Sequence, residues 1–434
     1  MKIKEKEYQK RRKKLLKSIN EGVMLVPSAS HQTRSNDTEY PFRQNSNFYY
    51  LTGFKEDNAI LLLKRTKKSL KSVLFVQSKD RDLELWTGER LGVKAAKKRF
   101  NVNKVYDVKQ FDNRVKKLLK NSKNVHIDLF NNSSFLKKVQ NTCKTLDSDR
   151  SVKISPQNFL HVNTKIEKMR LIKSDSEIKT IKEAIRITKI AHENAMKMVH
   201  PNQFEYEVQS SIEHTFKSNG AYSDAYTTIV AGGNRANTLH YIKNSHLLKQ
   251  GDLLLVDAGC EFEMYASDIT RTFPVSRKFS KPQKKLYNMI LKVQRNIINA
   301  IEPGIKRSYL QRMCEEQLCQ GLIDLKILKG KKKKLMKSNA HKKYFPHGVG
   351  HWMGIDVHDE CPYSDEHGKE LLFKKGMVLT IEPGIYIDKE SKNVPAKYRG
   401  IGIRIEDNIL VTKRGFKNLS KKIAKTVKEI EQLS

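Results

Sequence analysis

The segment HGVGHWMGIDVHD, from His347 to Asp359, has the composition of a chemical site. It holds three histidines, three glycines and two acids, so it is too polar for a core segment and too rich in glycine for a helix. A buried imidazole needs a hydrogen-bond or metal partner, and glycine lets the backbone approach a neighbouring group closely. The segment therefore indicates a functional site in preference to an ordinary loop.

Four acids in the same half of the chain each lie beside an apolar or β-branched run. Asp257 ends LLLV, Asp268 precedes ITRTFPV, Glu382 lies in VLTIEPG and Glu406 lies in IGIRIEDN. Each acid alone could be an ordinary turn or surface residue, because Asp is common at strand ends. A hairpin would bring the first two acids together. Glu302 stands in a second copy of IEPG, but it follows a helical stretch and is interpreted as a helix-ending turn.

These four carboxylates and the imidazole of His351 form an oxygen-rich donor set. Such a set suits Mn(II), Co(II) or Fe(II). Bridging carboxylates can hold two of these ions, activate a water between them and stabilise the oxyanion that develops in amide hydrolysis. Phosphate esters are cleaved with similar metals, but the sequence has no P-loop motif. We therefore predict a two-metal hydrolytic site.

Length and composition indicate two folded domains. With 434 residues, of which 38% are hydrophobic, the chain can bury two cores. The net charge of +37 raises nucleic acid as a partner. The lysines are spread along the chain without a nucleic-acid-binding motif, however, so a solvated basic surface is favoured and polyanion binding stays the alternative. The densest run, Lys331 to Lys334, is interpreted as an exposed loop between helices.

Cysteine usage and apolar patterning indicate a cytoplasmic protein. The five cysteines are scattered and form no CxxC pair, which argues against a disulfide framework or a zinc ribbon. The charged N-terminal segment lacks the apolar stretch of a signal peptide, and no segment approaches the roughly 20 apolar residues of a membrane span. We therefore expect a soluble protein of the cytoplasm without a membrane partner.

Periodicity predicts an α/β domain over residues 1–170 and an α+β domain over residues 171–434. The first alternates basic helical stretches with the β-like runs VMLVP, NFYYLTGF, AILLL and SVLFV. The second opens with Ser174 and Glu177, which predict a capping box before a long apolar stripe. Strands and helices in separate runs then imply a mixed or antiparallel sheet covered by helices. The other helices predicted in this half span residues 205–218, 281–300 and 309–328.

The order of the four acids and His351 resembles the metal-ligand series of the pita-bread metallopeptidases. The motifs DAGCEFEMYASDITRTFPV, HGVGHWMGIDVHD, TIEPGIY and RGIGIRIEDN are similar to those of aminopeptidase P, as is the N-terminal stretch DTEYPFRQNSNFYYLTGF. The resemblance runs from about Glu5 to the C-terminus. It implies a C-terminal pita-bread (creatinase/aminopeptidase) domain preceded by a smaller α/β N-terminal domain. It also implies release of the N-terminal residue from peptides with proline second, by a water that bridges two divalent metal ions, with Mn(II) expected.

The resemblance further implies a role for each site residue. The metal ligands are Asp257, Asp268, His351, Glu382 and Glu406, and Glu382 also takes the proton of the water. The other catalytic residues are His240 and His358, which hold the substrate and stabilise the tetrahedral intermediate, and Arg404, which orients the cluster. The substrate-binding residues in this half are Tyr226, Tyr386 and His347. Without the family, His240 would be interpreted as a surface loop residue, and core positions are an equal alternative for the two tyrosines. Arg404 stands two residues before Glu406 on the same strand face, so it can pair with a carboxylate, and a solvent-facing strand residue is the alternative.

In the N-terminal domain, Asp37, Arg43 and Trp86 match positions where a neighbouring subunit closes over the active site. This implies a homodimer or homotetramer. The alternative is that Trp86 and FYYLTGF are simply core of the first domain. Two other functions stay open: a prolidase, which performs the same chemistry on Xaa-Pro dipeptides, and an inactive pita-bread protein that binds nucleic acid.

Overall fold

Two compact units make up the chain, the first ending at Met169 and the second beginning at Arg170. The computed structural model describes residues 3–433. Each unit has its own hydrophobic core. Among the described residues, no helix is both long and apolar enough to cross a lipid bilayer.

The first unit is built on a mixed six-stranded sheet. Its helices are α1 (Glu5–Lys17), α2 (Ser46–Thr52), α3 (Arg81–Thr87), α4 (Gly92–Arg99), α5 (Phe111–Leu119), α6 (Ser133–Asp147) and α7 (Asn163–Arg170). Its strands are β1 (Gly22–Pro27), β2 (Thr33–Ser35), β3 (Thr38–Glu39), β4 (Ile60–Thr66), β5 (Ser69–Val76), β6 (Lys104–Asp107), β7 (Asn124–Ile127) and β8 (Asn158–His161). The sheet has the order β6-β5-β4-β1-β7-β8, antiparallel from β5 to β1 and parallel at both sides.

One predicted strand of this unit is wrong, because NFYYLTGF forms the helix α2. The side chain of Asn45 caps the helix by accepting a hydrogen bond from the Phe48 N–H (2.9 Å). Gly53 ends it in the left-handed region, with φ of 69°. Residues 47–52 are all buried, so the run shows no amphipathic period. Its aromatic residues favour a strand by propensity, and tertiary packing overrides that preference.

The second unit combines helices with several small sheets. Its helices are α8 (Asp175–Met198), α9 (Glu205–Ser218), α10 (Lys281–Asn299), α11 (Arg307–Asp324), α12 (Lys332–Lys337) and α13 (Val427–Leu433). Its strands are β9 (Ser223–Asp224), β10 (Ile229–Gly232), β11 (Leu253–Asp257), β12 (Cys260–Phe262), β13 (Tyr265–Ala266), β14 (Thr270–Pro274), β15 (Val378–Ile381), β16 (Gly384–Ile387), β17 (Ile401–Arg404), β18 (Asp407–Thr412) and β19 (Gly415–Asn418). The sheets have the orders β10-β11-β14, β13-β12-β9, β15-β18-β19 and β16-β17.

Several helix predictions are confirmed and one loop prediction is wrong. The capping box of α8 is present: Ser174 Oγ accepts from the Glu177 N–H (3.3 Å), and Glu177 Oε2 accepts from the Ser174 N–H (2.9 Å). The helices predicted over residues 205–218 and 281–300 are α9 and α10. The lysine run is not a loop, because most of it forms α12, a helix without buried residues.

The strand ends bring distant acids to one place. Strands β11 and β14 pair antiparallel, with Asp257 opposite Thr270, so the predicted pairing is confirmed, although β12 and β13 lie in the connection. Glu382 lies in the break between β15 and β16, and Glu406 lies in the break between β17 and β18. These breaks face each other, because β15 pairs with β18 and β16 pairs with β17. The four acids therefore meet where strands stop.

Candidate active site

The second unit encloses a cavity of about 680 Å³ that gathers most of the predicted site residues. Its walls include Tyr226, His240, Asp257, Asp268, His347, His351, His358, Glu382, Arg404 and Glu406. Tyr386 stands behind this wall, where its hydroxyl contacts the His347 ring (2.8 Å). Residues more than 150 positions apart in the sequence thus share one chamber.

Three of the predicted metal ligands are close enough to share one ion. Asp268, His351 and Glu406 each offer a ligand atom, and these atoms all lie within 4.8 Å of one another. His351 Nε2 lies 3.2 Å from Asp268 Oδ2 and 3.8 Å from Glu382 Oε1. Thr270 supports Glu406 by donating its hydroxyl to Oε2 (2.8 Å). This donor set of two acids and an imidazole fits a divalent cation.

Asp257 is held in the same cavity by two hydrogen bonds. Tyr226 donates its hydroxyl to Oδ1 (2.6 Å), and Arg404 Nη2 donates to Oδ2 (2.6 Å). Arg404 also donates from Nη1 to the Tyr386 hydroxyl (2.9 Å) and from Nε to Thr270 Oγ1 (3.1 Å). Arg404 is only 4% exposed, so the alternative that it faces solvent is wrong, and its predicted pairing with a carboxylate is confirmed. The planar guanidinium of Arg404 thus connects Asp257, Tyr386 and Thr270.

The cavity carries more negative charge than its own cations balance. Burial and the neighbouring carboxylates raise the pKa of Glu382 to about 7, and they hold the pKa of Glu406 well above its usual range. Burial also raises the pKa of Asp257, although Arg404 opposes this. Burial alone would lower the pKa of His351, but its contact with Asp268 raises it to about 9. Burial and the crowding of carboxylates thus disfavour their ionised forms, and an added cation would offset both effects.

The other three histidines have different environments. Burial and Arg404 lower the pKa of His347 to about 4, and its Nε2 contacts the Tyr386 hydroxyl. The His358 ring packs edge-on against His351, with centroids 4.2 Å apart, and burial lowers its pKa. His240 is exposed, and within residues 3–433 its ring forms no hydrogen bond. His240 is thus exposed, as expected for a surface loop residue. It nevertheless lines the cavity.

Comparisons with known proteins place both halves of the chain in known families. Residues 179–413 match the model of metallopeptidase family M24, and residues 8–127 match the N-terminal domain of aminopeptidase P. The chain belongs to metallopeptidase family M24. Among its relatives, the Xaa-Pro aminopeptidase of Haemophilus influenzae is 41% identical, over 100% of this chain and 98% of the relative. The Xaa-Pro aminopeptidase of Escherichia coli is 38% identical, over 99% and 98%.

Solved structures of M24 enzymes have the same fold. Zinc-substituted aminopeptidase P of Escherichia coli, in complex with product, superposes with a TM-score of 0.96 at 37% identity and covers 100% of this chain and 98% of its own. Aminopeptidase PepP of Pseudomonas aeruginosa gives 0.97 at 35% identity, with the same coverage. The predicted fold class is therefore confirmed: a pita-bread domain follows an α/β domain of the aminopeptidase P N-terminal type.

The N-terminal residues predicted for the site belong to the first unit. Asp37 lies between β2 and β3 and is exposed, and Arg43 donates to Ser46 Oγ (3.1 Å). Trp86 on α3 is 84% exposed, so the alternative that it belongs to the core is wrong. FYYLTGF, in contrast, does belong to the core of the first unit, because its residues Phe48, Tyr49 and Tyr50 are buried.

Some residues of this M24 site were missed by sequence reasoning. Thr380 Oγ1 accepts from the His351 N–H (3.1 Å) and donates to Glu382 Oε1 (3.3 Å). Thr270 bridges Glu406 and Arg404. Both threonines lie in strands, where a β-branched residue is the default, so no sequence signal separates them from core. The expectation that glycine lets the backbone approach a neighbouring group closely is met at Gly350. A Cβ there would lie 1.9 Å from Thr380 O, so Gly350 permits the segment to pack closely on β15.

Proposed function

We propose that this M24 protein releases the N-terminal residue from peptides whose second residue is proline. The observation that carries the proposal is the convergence of four acids and His351 on one cavity. The full-length similarity to Xaa-Pro aminopeptidases supports the substrate class.

The donor chemistry argues for two divalent cations, which we propose to be Mn(II). Asp268, His351 and Glu406 form a compact set, and Asp257 and Glu382 line the same cavity with further oxygen donors. Buried carboxylates with raised pKa values are costly when ionised and unpaired, and oxygen-rich sets suit Mn(II). When bound, the ions would supply Lewis acidity and a water of lowered pKa.

We assign the remaining roles to the chain's own groups. Glu382 accepts a proton from the attacking water, because its carboxylate lines the cavity beside the other donors. His240 and His358 donate hydrogen bonds to the reacting carbonyl group. Arg404 orients Asp257 through their hydrogen bond. The rings of Tyr226 and His347 face the substrate, and Tyr386 supports this surface from behind through its hydroxyl contact with His347.

A kinetic comparison tests this function. Purified protein loaded with Mn(II) is expected to cleave an Xaa-Pro-Yaa tripeptide with a higher kcat/KM than the Xaa-Pro dipeptide. Glu382→Ala is expected to lose at least about 1000-fold in kcat, because it removes both an oxygen donor and the proton acceptor. Preference for the dipeptide would favour a prolidase. No cleavage of either peptide, together with tight salt-dependent RNA binding, would favour the nucleic-acid-binding alternative.

We further propose a cytoplasmic homodimer or homotetramer in which Asp37 and Trp86 approach the cavity of a partner subunit. The exposure of Trp86 supports this proposal, because large exposed aromatic residues often mark interaction surfaces. Light scattering is expected to report an oligomer, and Trp86→Ala is expected to raise KM at constant kcat. A monomer with full activity would contradict the proposal.

A further inference from the structure

The segment that carries His240 is exposed over most of its length. We call residues 238–247 the His240 loop; it lies between β10 and β11. Within this loop, Tyr241 and Asn244 are the two buried residues, at 9% and 1% exposure. Leu239, His240 and Ile242 face the cavity. The His240 ring has no hydrogen bond of its own to described residues. Its position therefore depends on how the two buried residues of the loop, Tyr241 and Asn244, are held.

The first anchor is Glu205, the first residue of α9, which is fully buried. Its Oε2 accepts hydrogen bonds from the Tyr241 hydroxyl (2.7 Å) and the His246 N–H (3.0 Å). Its Oε1 accepts from the Gly232 N–H (2.9 Å) and from Arg235 Nε (2.7 Å). Four donors satisfy this buried carboxylate, and two of them belong to the His240 loop.

The second anchor is Gln209, one helical turn further along α9. Asn244 donates from Nδ2 to Gln209 Oε1 (2.8 Å) and to Thr228 O (2.7 Å), and its Oδ1 accepts from the Val230 N–H (2.9 Å). Asn244 also adopts φ of 46°, a conformation that Asn tolerates better than most residues. Residues four apart share one helix face. A single face of α9, which carries Glu205 and Gln209, therefore holds both buried residues of the loop, Tyr241 and Asn244.

We infer that Glu205 and Gln209 are positioning residues for His240, acting through Tyr241 and Asn244. This inference rests on the proposed function, since it concerns a histidine to which we assign contact with the substrate. Tyr241 is the immediate neighbour of His240, so a hydrogen bond on its ring restrains the backbone that presents the imidazole. Small displacements of a group that contacts the reacting atoms cost large factors in rate.

A double-mutant cycle tests the inference on the Mn(II)-loaded, full-length protein. Tyr241→Phe removes one hydroxyl and keeps the ring, and it is expected to lower kcat about 10-fold with little change in KM. In a His240→Ala background the same substitution is expected to change kcat less than about twofold, because its effect passes through the imidazole. An equal loss in both backgrounds, or no loss in either, would overturn the inference.

A second variant and a second readout cover the case in which Tyr241→Phe folds poorly or the double mutant is too slow to assay. Gln209→Ala removes a half-buried side chain and is expected to increase hydrogen exchange in the His240 loop while the remaining peptides of the second unit keep theirs. Unchanged exchange in the loop would contradict the inference. Tyr287→Phe is the control for Tyr241→Phe, because it also removes the hydroxyl of a buried tyrosine, which donates to Lys425 O (2.8 Å), and it should leave kcat within about twofold.

These outcomes separate this inference from the proposed function. If the wild-type protein fails to cleave Xaa-Pro-Yaa peptides, the proposed function is wrong, and hydrogen exchange still reports whether α9 restrains the loop. If the wild-type protein is active but Tyr241→Phe and Gln209→Ala have wild-type kcat and wild-type loop exchange, the proposed function stands and the anchoring role is wrong.

Discussion

At the scale of single residues, the site depends on side chains whose hydrogen bonds leave little freedom. Arg404 is the clearest case, because each of its three nitrogens donates to a different acceptor: Asp257, Tyr386 and Thr270. A guanidinium can serve three acceptors in one plane, whereas the ammonium of lysine is a single point with three rotatable hydrogens. Arg404 therefore fixes the relative positions of a carboxylate and a phenol.

Replacement of Arg404 by lysine should accordingly impair catalysis. Arg404→Lys is expected to lower kcat/KM about 100-fold, because Asp257 and the Tyr386 hydroxyl cannot both keep their donor. Steady-state kinetics on an Xaa-Pro-Yaa peptide measures this. Arg399→Lys is the matched control, since Arg399 is exposed and donates to the backbone carbonyls of Val394 and Lys392. Similar kcat/KM values for the two variants would contradict the prediction.

At the scale of elements, the histidine-rich segment is held from two sides. Along one side its backbone bonds to β15, through the Thr380 N–H to His351 O (2.9 Å) and the Met353 N–H to Val378 O (3.1 Å). At its end Asp359 pairs with Arg170 and with Lys173 (2.9 Å), and all three side chains are almost fully buried. The segment that presents His351 and His358 is thus tied to the strand beside the acids and to the start of the second unit.

Loss of the Asp359 charge should destabilise this unit strongly. Asp359→Asn is expected to lower the free energy of unfolding by about 3 kcal/mol, because Lys173 is left buried beside a neutral amide. Urea denaturation measures the change. Glu183→Gln removes the acid of a pair with the half-exposed Arg186 and is the control, with an expected change within about 0.5 kcal/mol. Equal effects of the two substitutions would show that burial of the Asp359 cluster does not matter.

The same ion pair predicts how stability depends on pH. Burial alone would raise the pKa of Asp359, but Lys173 and Arg170 hold it well below its usual range. A carboxylate with a depressed folded-state pKa contributes stability above its unfolded pKa, which is about 3.9, and loses that contribution as the pH falls further. The difference in free energy of unfolding between wild type and Asp359→Asn should therefore have its full size at pH 7 and become smaller below about pH 4. A difference that is equal at pH 7 and pH 3 would contradict this assignment.

At the scale of the whole molecule, the strongly basic chain builds an acidic cavity. Its net charge is +37, yet four carboxylates converge where the strands of the second unit stop. Surface lysines are separated by solvent and screened by salt, whereas the buried acids repel each other at short range. A ligand cation therefore gains most in the cavity, and binding it should stabilise the folded state.

Metal removal should consequently lower the melting temperature. Dialysis against EDTA is expected to abolish peptide cleavage and to reduce Tm, and Mn(II) should restore both. Saturation at 100 times Kd contributes about 2.7 kcal/mol, and each kcal/mol corresponds to roughly 2 to 4 °C for a domain of about 150 to 250 residues. Glu406→Gln replaces one charged donor of the compact set by a neutral amide and should show a smaller Mn(II)-dependent shift in scanning fluorimetry. A shift of wild-type size in that variant would exclude Glu406 as a ligand.

The sequence by itself determined the fold class, the kinds of donor atom and the family. These depend on short motifs and on periodicity, which can be read from the order of the residues alone. The examples are strands that end in acids, a glycine- and histidine-rich segment, and a capped helix at Ser174. Only the tertiary structure decided which groups are partners. Asp257 meets Arg404 from 147 residues away, and hydrogen bonds from the His240 loop reach α9 across 36 and 35 residues. Burial and packing also turned NFYYLTGF into a helix. The physical reason is that pairing, desolvation and charge balance depend on distances in space, and separation along the chain carries no record of them.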